Sequence, residues 1–339
     1  MFLGGDWFNR QAEKQKMMND TAYYRATSST FNKIAWAFRR SFLGQATAPL
    51  IAQSIYKFLQ TRPELILKNE SLRRLGDKAQ LWAVLDPRVA AIPIGFGPLR
   101  GFSILNDPSP HFPTFRVLGI EEVMNQVIFE RIIRPGDAVY DLGANVGVHT
   151  LLFSRLCGPG GRVYSFEPWP ENIEKLNANL RLNKIQNVEV VPCAVSSRSG
   201  LAAFRTGPDS SQGKLVDDSN EAERHRDLEV QVFTLDDFAA QAQRRPPTLL
   251  KIDIEGGEGE ALRGARRVLR EFRPMVICEI HDGTAAEVVR SVLGEADYEF
   301  FVLERGFRVV PTGESLPPWC HTCACPREEV NKRSSILAV

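Results

Sequence analysis

The chain has 339 residues, of which 43% are hydrophobic and 24% are charged, as in an ordinary soluble globular protein. Its net charge of +1 does not indicate binding to nucleic acid, and no segment approaches the ~18 consecutive apolar residues of a membrane-spanning helix. We therefore expect a cytoplasmic protein with no nucleic-acid partner and no transmembrane segment.

Residues 1–115 are predicted to form an N-terminal, mainly helical extension or cap, because apolar residues recur there at helical spacing. Residues 1–80 contain 13 Lys and Arg against 6 Asp and Glu, a net of +7, which leaves −6 for the rest of the chain. This basic part could contact a membrane surface peripherally or an acidic partner, or it could be a solvated helical face. An extension of this kind can also form a homo-oligomer.

Residues 116–315 alternate between strand and helix patterns, which predicts an α/β fold with a mostly parallel sheet. The predicted strands are 138–142, 162–167, 188–194, 248–254 and 275–280, with a hairpin at 298–303 and 307–310. Helices are predicted at 121–133, 170–184 and 257–270. A strand pair at 201–205 and 228–233 encloses a polar segment that suits a lid or a plain surface loop. Residues 316–339 are expected to be a C-terminal tail.

The first predicted strand of this alternation leads into the glycine-rich turn Asp141-Leu142-Gly143-Ala144-Asn145-Val146-Gly147. Glycines allow a ligand to approach the backbone, and N–H groups at the start of the next helix favour a negative group. A dinucleotide fingerprint would require a second glycine where Asn145 stands. The acid before the turn instead suits a ligand with positive charge, which favours S-adenosyl-L-methionine over a dinucleotide.

A second acid, Glu167, ends the next predicted strand, 26 residues after Asp141, and is followed by Pro168. An ionised carboxylate only accepts hydrogen bonds, so it can bind both hydroxyls of a ribose. The order and spacing of the two motifs strengthen the prediction of an S-adenosylmethionine site.

The chain from about residue 119 to 311 resembles the FkbM family of S-adenosylmethionine-dependent methyltransferases, which have the Rossmann-like class I methyltransferase fold. The resemblance rests on four segments, Val139–Gly147, Phe166–Pro168, Leu250–Glu258 and Val276–His281. It implies a seven-stranded, mostly parallel sheet whose last strand is antiparallel. It also implies methyl transfer to a hydroxyl oxygen of a sugar, polyketide or other small natural product.

The resemblance also implies roles for individual residues in the cofactor site. The turn residues Gly143, Asn145 and Gly147 should hold the methionine part, with Asp141 receiving its ammonium group. Glu167 should bind the ribose and Pro168 should pack on the adenine. Two further residues at the end of the third strand either line the adenine pocket or belong to the core, namely Ala194 and Val195.

Four polar residues that end the fourth and fifth strands of this fold are expected beside the reacting atoms, namely Asp253, Glu255, Glu279 and His281. We predict that His281 is the general base, since an imidazole titrates near neutral pH, with Asp253 and Glu255 also catalytic. Two alternatives stay open. The four groups could surround a hard cation that lowers the pKa of the acceptor, or the carboxylates could be structural.

The six cysteines form two groups. Cys157, Cys193 and Cys278 lie near apolar runs and are predicted to be buried thiols in a reducing compartment. Cys320, Cys323 and Cys325 are expected in the tail, as loose thiols or as a metal site. Other functions remain open: N-methylation on the same fold, a non-catalytic cofactor-binding scaffold, and, least favoured, a dinucleotide oxidoreductase.

Overall fold

The computed structural model describes residues 90–94, 97–106, 123–207, 213–216, 228–303, 308–310 and 314–332. Residues 90–94 and 106 belong to one compact unit, and the other described residues form a second unit. Most of the predicted helical extension (residues 1–115), and most of the predicted lid, lie outside the described residues. Within the described part of the chain, no helix is long and apolar enough to cross a membrane.

The helices and strands follow the alternation that the sequence predicts. The strands are β1 Ala91–Pro93, β2 Ser103–Leu105, β3 Ala138–Leu142, β4 Arg162–Phe166, β5 Val188–Val191, β6 Ala194–Val195, β7 Gly200–Arg205, β8 Lys214–Leu215, β9 Leu228–Phe233, β10 Leu249–Ile252, β11 Met275–Ile280, β12 Tyr298–Val302, β13 Arg308–Val310 and β14 Cys320–Pro326. The helices are α1 Val123–Ile132, α2 Val148–Cys157, α3 Pro170–Leu182, α4 Leu235–Ala239, α5 Glu258–Arg263, α6 Arg266–Glu271, α7 Gly283–Glu295 and α8 Arg327–Val330.

The main sheet has eight strands in the order β13-β12-β14-β11-β10-β3-β4-β5. Strands β5, β4, β3, β10 and β11 run parallel to one another, whereas β14 is antiparallel to both β11 and β12. The expected mostly parallel class I sheet with an antiparallel last strand is therefore confirmed, and β13 adds an eighth strand at its edge.

Strand β14 lies inside the sheet, not in a tail as the sequence analysis expected. Its residues Cys320, Cys323 and Cys325 are buried and form no disulfide bond within the described part of the chain. Two features hid the strand: short polar residues interrupt its apolar pattern, and its partners lie about 20 and 45 positions earlier in the chain. The prediction of loose thiols is therefore wrong. The first three cysteines are buried and free, as predicted.

Burial on both faces explains why the central strands read as continuous apolar runs. Every residue of β3 and β10 is buried, which is typical of parallel strands covered by helices. On one face, Tyr140, Tyr164 and Phe166 pack with Phe238 of α4 at ring-centroid distances of 4.7–5.7 Å. The hydroxyl of Tyr140 donates to the carbonyl oxygen of Arg245, so this buried polar group is satisfied.

Two predicted elements are each divided in the structure. The helix predicted at 257–270 breaks into α5 and α6 at Gly264, where a Cβ atom would lie 2.2 Å from the carbonyl oxygen of Ser196. The strand predicted at 188–194 ends at Val191, and Ala194 and Val195 join a second sheet of order β6-β9-β7-β8. In that sheet β7 and β9 form the predicted antiparallel pair.

Candidate active site

The predicted site residues lie where β3, β4, β10 and β11 end, at the carboxyl edge of the parallel strands. Open α/β sheets bind their ligands at this edge. The turn after β3 and the turn after β10 touch there: Gly143 has a φ of 75°, and a Cβ atom on it would lie 1.8 Å from the carbonyl oxygen of Asp253. Glycine is therefore required at position 143 for both its conformation and its contact.

The backbone N–H groups of the turn are all used within the chain. Those of Gly143 and Ala144 donate to the carbonyl oxygen of Phe166, and that of Gly147 donates to Ala144. The other two donate to side chains: Asn145 N–H to Glu167 and Val146 N–H to the Asn145 amide oxygen. The turn residues 143–147 thus offer no open set of donors to a phosphate.

Glu167 ties the two predicted cofactor motifs together. Its carboxylate accepts from the N–H groups of Asn145 at 2.8 Å and Trp169 at 3.0 Å, and from the Asn172 amide at 3.3 Å. The side chain is 5% exposed, and burial raises its pKa while these hydrogen bonds oppose the rise. A carboxylate has about four acceptor positions, so room remains for about one further donor.

Asp141 is buried and already has partners in the chain. One carboxylate oxygen accepts from the Thr150 hydroxyl at 2.6 Å, and the other lies 3.8 Å from Nζ of Lys251. Lys251 also donates to Asp253 at 3.1 Å and to the Gly143 carbonyl oxygen at 3.3 Å. Sequence reasoning missed Lys251, although a single lysine inside the apolar strand β10 was a visible signal. Direct contact between Asp141 and a ligand ammonium stays a prediction.

The structure brings together the four polar residues predicted beside the reacting atoms. Nε2 of His281 lies 3.6 Å from Asp253, 3.7 Å from Glu279 and 3.8 Å from Glu255. Among the described residues, Asp253, Glu279 and His281 form the grouping whose ligand atoms are close enough to hold a metal ion. We refer to these three residues as the acid–histidine cluster.

Two further residues support the cluster, and neither was predicted to do so. Glu258 is fully buried, and its Oε1 atom lies 2.8 Å from Nδ1 of His281 while accepting from the N–H of Gly256. Nε2 of His321, in β14, lies 3.1 Å from the second carboxylate oxygen of Glu279. Glu258 was visible in the family motif, but the position of His321 depends on strand pairing that the sequence does not reveal.

The pKa values of Asp253, Glu255 and His281 are shifted in different directions. Burial would raise the pKa of Asp253, but Lys251 and His281 outweigh that effect and hold the pKa at about 2. Burial would lower the pKa of His281, but its hydrogen bond to Glu258 and the nearby carboxylates raise the pKa to about 9. For Glu255, burial raises the pKa to about 7. The role of His281 as general base stays a prediction.

Backbone conformation also marks this edge of the sheet. Asn145, Glu255 and Trp319 have φ values of 51°, 56° and 59°, a left-handed conformation that L-residues adopt at a cost. Trp319 is 64% exposed, and its ring lies edge-on to His281 with centroids 5.9 Å apart. A large exposed aromatic residue thus borders the cluster, and nothing in the sequence pointed to it.

The remaining predicted site residues are Pro168, Ala194 and Val195, which are half-buried or buried. Pro168 is half-buried. Ala194 belongs to the small core of the second sheet, and Val195 belongs to the main core. Ala194 is 7% exposed and Val195 is 4% exposed, which favours the alternative that both residues belong to the core.

Comparison with known proteins agrees with this geometry. The sequence profile of the methyltransferase FkbM domain matches residues 141–309. The 31-O-demethyl-FK506 methyltransferase FkbM of Streptomyces tacrolimicus is 30% identical over an alignment of 191 positions, which covers 48% of this chain and 73% of that protein. The hexuronic acid methyltransferase AglP of Haloferax volcanii is 27% identical over 162 residues.

These alignments cover only part of this chain and part of each relative. The match to AglP spans 47% of this chain and 62% of that protein, less than two thirds of its length. The crystal structure of methyltransferase FkbM from Methylobacillus flagellatus KT has a TM-score of 0.38 and 18% identity, covering 62% of this chain and 53% of that chain. The domain profile and the 30% identity over most of the Streptomyces protein show that the chain belongs to the FkbM methyltransferase family.

Proposed function

We propose that the chain transfers the methyl group of S-adenosylmethionine to a hydroxyl oxygen of a sugar, polyketide or other small natural product. The observation that carries this proposal is the contact between the glycine turn and the strand end that bears Asp253. That contact brings the glycine turn close to Asp253, whose carboxylate can accept a hydrogen bond from a hydroxyl. A cytoplasmic location fits, because the cofactor is made there.

The cofactor half of the site is the turn 143–147 together with Glu167. Because the turn N–H groups are used internally, this half suits a ligand without phosphate better than a dinucleotide. The remaining acceptor position of Glu167 would take a ribose hydroxyl. Asp253, with 24% of its side chain exposed, would face the methionine part more openly than the fully buried Asp141 does.

The acceptor half is formed by the acid–histidine cluster, Glu255 and Trp319. In the reaction the acceptor oxygen forms a bond to the methyl carbon while the carbon–sulfur bond breaks, which releases S-adenosylhomocysteine. Holding the two reactants in line can supply roughly 7–11 kcal/mol of the barrier reduction. The hydroxyl proton passes to a carboxylate at the edge of the cluster, and we assign this role to Glu255, one third of whose side chain is exposed.

The names of two relatives support an oxygen acceptor. One relative is named for a hexuronic acid, and the other for the O-methylation of a demethylated FK506. The apolar face of Trp319 beside hydrogen-bond acceptors suits a ring that carries both C–H and O–H groups, such as a sugar.

The test is calorimetric titration of the full chain with S-adenosylmethionine, S-adenosylhomocysteine and NAD, for the native protein and for Glu167→Gln. We expect micromolar binding of the first two ligands, at least 10-fold weaker in the variant. Glu171→Gln, an exposed acid at the start of α3, is the matched control and should bind normally. Thermal melting of each variant separates lost binding from lost folding.

Hydroxylated acceptors, with a uronic acid among them, are then screened for release of S-adenosylhomocysteine. Binding of NAD alone would refute the proposed cofactor. Cofactor binding with methylation of amines alone would refute the oxygen acceptor.

A further inference from the structure

Three potential metal ligands from two strand ends converge without bonding to one another. Nε2 of His281 lies 3.6 Å from Oδ1 of Asp253 and 3.7 Å from Oε1 of Glu279, beyond the 2.7–3.2 Å of an N–H···O hydrogen bond. All three ligand atoms lie within 4.8 Å of one another. The three atoms therefore surround a common point instead of pairing.

The imidazole is fixed from its far side. Nδ1 of His281 lies 2.8 Å from Glu258, and the same oxygen accepts from the N–H of Gly256 at 2.9 Å. Glu258 is fully buried and His281 is 8% exposed, so the ring is held in one orientation. A histidine that binds a metal commonly donates its other ring N–H to a carboxylate in this way.

The two carboxylates are held from behind as well. Oδ2 of Asp253 accepts from Lys251 at 3.1 Å, which leaves Oδ1 directed at His281. Oε2 of Glu279 lies 3.1 Å from Nε2 of His321, which leaves Oε1 directed at His281. The second oxygen of each carboxylate thus lies beside a basic side chain, and Nδ1 of His281 lies beside Glu258.

We propose that Asp253, Glu279 and His281 bind one divalent cation of the Mn²⁺ type. Ligands at ~2.1 Å from such an ion lie roughly 3.0–3.4 Å apart, so the two distances from His281 would shorten by a few tenths of an ångström. Carboxylates suit Mg²⁺ and Mn²⁺, whereas imidazole suits first-row transition metals, and Mn²⁺ is the ion that belongs to both groups. The excess of carboxylates supplies the negative charge that a divalent cation requires.

This inference rests on the proposed function and deepens it. A cation beside Trp319 and Glu255 would bind the acceptor hydroxyl oxygen, lower its pKa and hold it in line with the methyl group. The hydroxyl proton goes to Glu255, the alkoxide oxygen forms the new bond to carbon, and the electrons of the carbon–sulfur bond leave with sulfur. The cation needs no change of oxidation state.

The test measures Mn²⁺ alone on the full chain after dialysis against a chelator, without cofactor or acceptor. Binding is followed by calorimetry and by loss of the electron paramagnetic resonance signal of free Mn²⁺. We expect one equivalent to bind, with at least 10-fold weaker affinity in Asp253→Asn, Glu279→Gln and His281→Gln. The control Glu260→Gln lies on the same helix as Glu258, is exposed, and pairs with Arg263, so its affinity should be unchanged.

The isosteric changes Asp253→Asn and Glu279→Gln keep the inference testable if His281→Gln fails to fold. Equal Mn²⁺ affinity in the native protein and in both isosteric variants, or no binding at 1 mM, overturns the metal site. Glu167→Gln should retain Mn²⁺ binding while it loses S-adenosylmethionine. A native chain that binds Mn²⁺ without binding S-adenosylmethionine supports the metal site and refutes the proposed function, and the reverse result refutes the metal site alone.

Discussion

The two halves of the site are built by different means. In the cofactor half, backbone N–H groups of the glycine turn and a single buried acid, Glu167, satisfy one another over a short stretch of β3 and β4. In the acceptor half, side chains from β10, β11 and β14 meet across the sheet, and Trp319 and Glu255 remain partly exposed. The first half is closed by its own hydrogen bonds, whereas in the second the carboxylates of Asp253 and Glu279 face Nε2 of His281 at distances beyond a hydrogen bond.

The difference indicates where a family can vary its chemistry. Two of the turn N–H groups depend on side-chain acceptors, so a substitution that removes Glu167 or Asn145 leaves a backbone donor without its partner. A cluster of side chains on separate strands can exchange members while the sheet stays intact. We therefore expect the acceptor half to set specificity and the cofactor half to set the fold around the shared ligand.

The largest expected effect concerns the backbone contact between Gly143 and Asp253, which joins the cofactor half of the site to the acceptor half. Gly143→Ala puts a Cβ atom 1.8 Å from the Asp253 carbonyl oxygen, so we expect a loss of more than about 5 kcal/mol or no folding. Gly136→Ala is the matched control, because its φ of 96° is also positive but its Cβ meets open space. It should lose only about 1 kcal/mol. Urea unfolding of both variants measures the difference, and similar losses would show that the turns do not touch.

The next effect concerns Lys251, which touches both halves through Gly143 and Asp253. Lys251→Met leaves the carboxylate of Asp141 buried without a counter-charge, so we expect a loss of about 3–5 kcal/mol. Adding Asp141→Asn removes that charge and should restore at least half of the loss. Urea unfolding of the single and double variants checks the coupling. Strictly additive losses would show that the two side chains do not interact.

The sequence predicts the cofactor half well because its signals are local. The strands at 138–142 and 275–280 have the predicted bounds, and the pairing of the glycine turn with Glu167 needs only two adjacent parallel strands. The parallel sheet follows from the regular alternation of strands and helices. In this half, local pattern and global fold agree.

The acceptor half is less predictable because its contacts are distant in sequence. Asp253, Glu279 and His281 were predicted from their positions at strand ends, but their support from His321 depends on the register Glu279↔His321 between β11 and β14. The raised pKa of His281 could not be predicted either, since it depends on Glu258 and on carboxylates that meet only in the folded chain. Trp319 left no periodic signal, because it lies between elements.

A moderate effect is expected at Trp319, and it tests whether the acceptor half alone recognises the acceptor. Trp319→Ala removes an apolar face next to His281 while the side chain is mostly exposed, so stability should change by no more than about 0.5 kcal/mol. We expect KM for the hydroxylated acceptor to rise roughly 10-fold, or about 1.4 kcal/mol, with cofactor affinity unchanged. Leu201→Ala, at a side chain of similar exposure on β7, is the control. An unchanged KM would remove Trp319 from the site.

The smallest effect tests whether surface charge or buried packing holds β14 beside the cluster. Glu328 in α8 forms two hydrogen bonds with Arg273, at 2.6 and 2.7 Å, and mainly for that reason its pKa falls to about 2. Because the pKa of Glu328 is lower in the folded chain than its ordinary value of about 4.5, the ionised group stabilises the folded state above about pH 4.5. This stabilisation is lost as the pH falls towards 2.

Because half of the Glu328 side chain is exposed, we expect Glu328→Gln to cost less than about 1 kcal/mol at pH 7. The difference from the native chain should shrink between pH 5 and pH 3, while the exposed control Glu287→Gln should show no such trend. Urea unfolding of each variant between pH 5 and pH 3 measures this difference in stability. A loss of several kcal/mol at pH 7 would mean that this ion pair, and not the burial of β14, keeps His321 against Glu279.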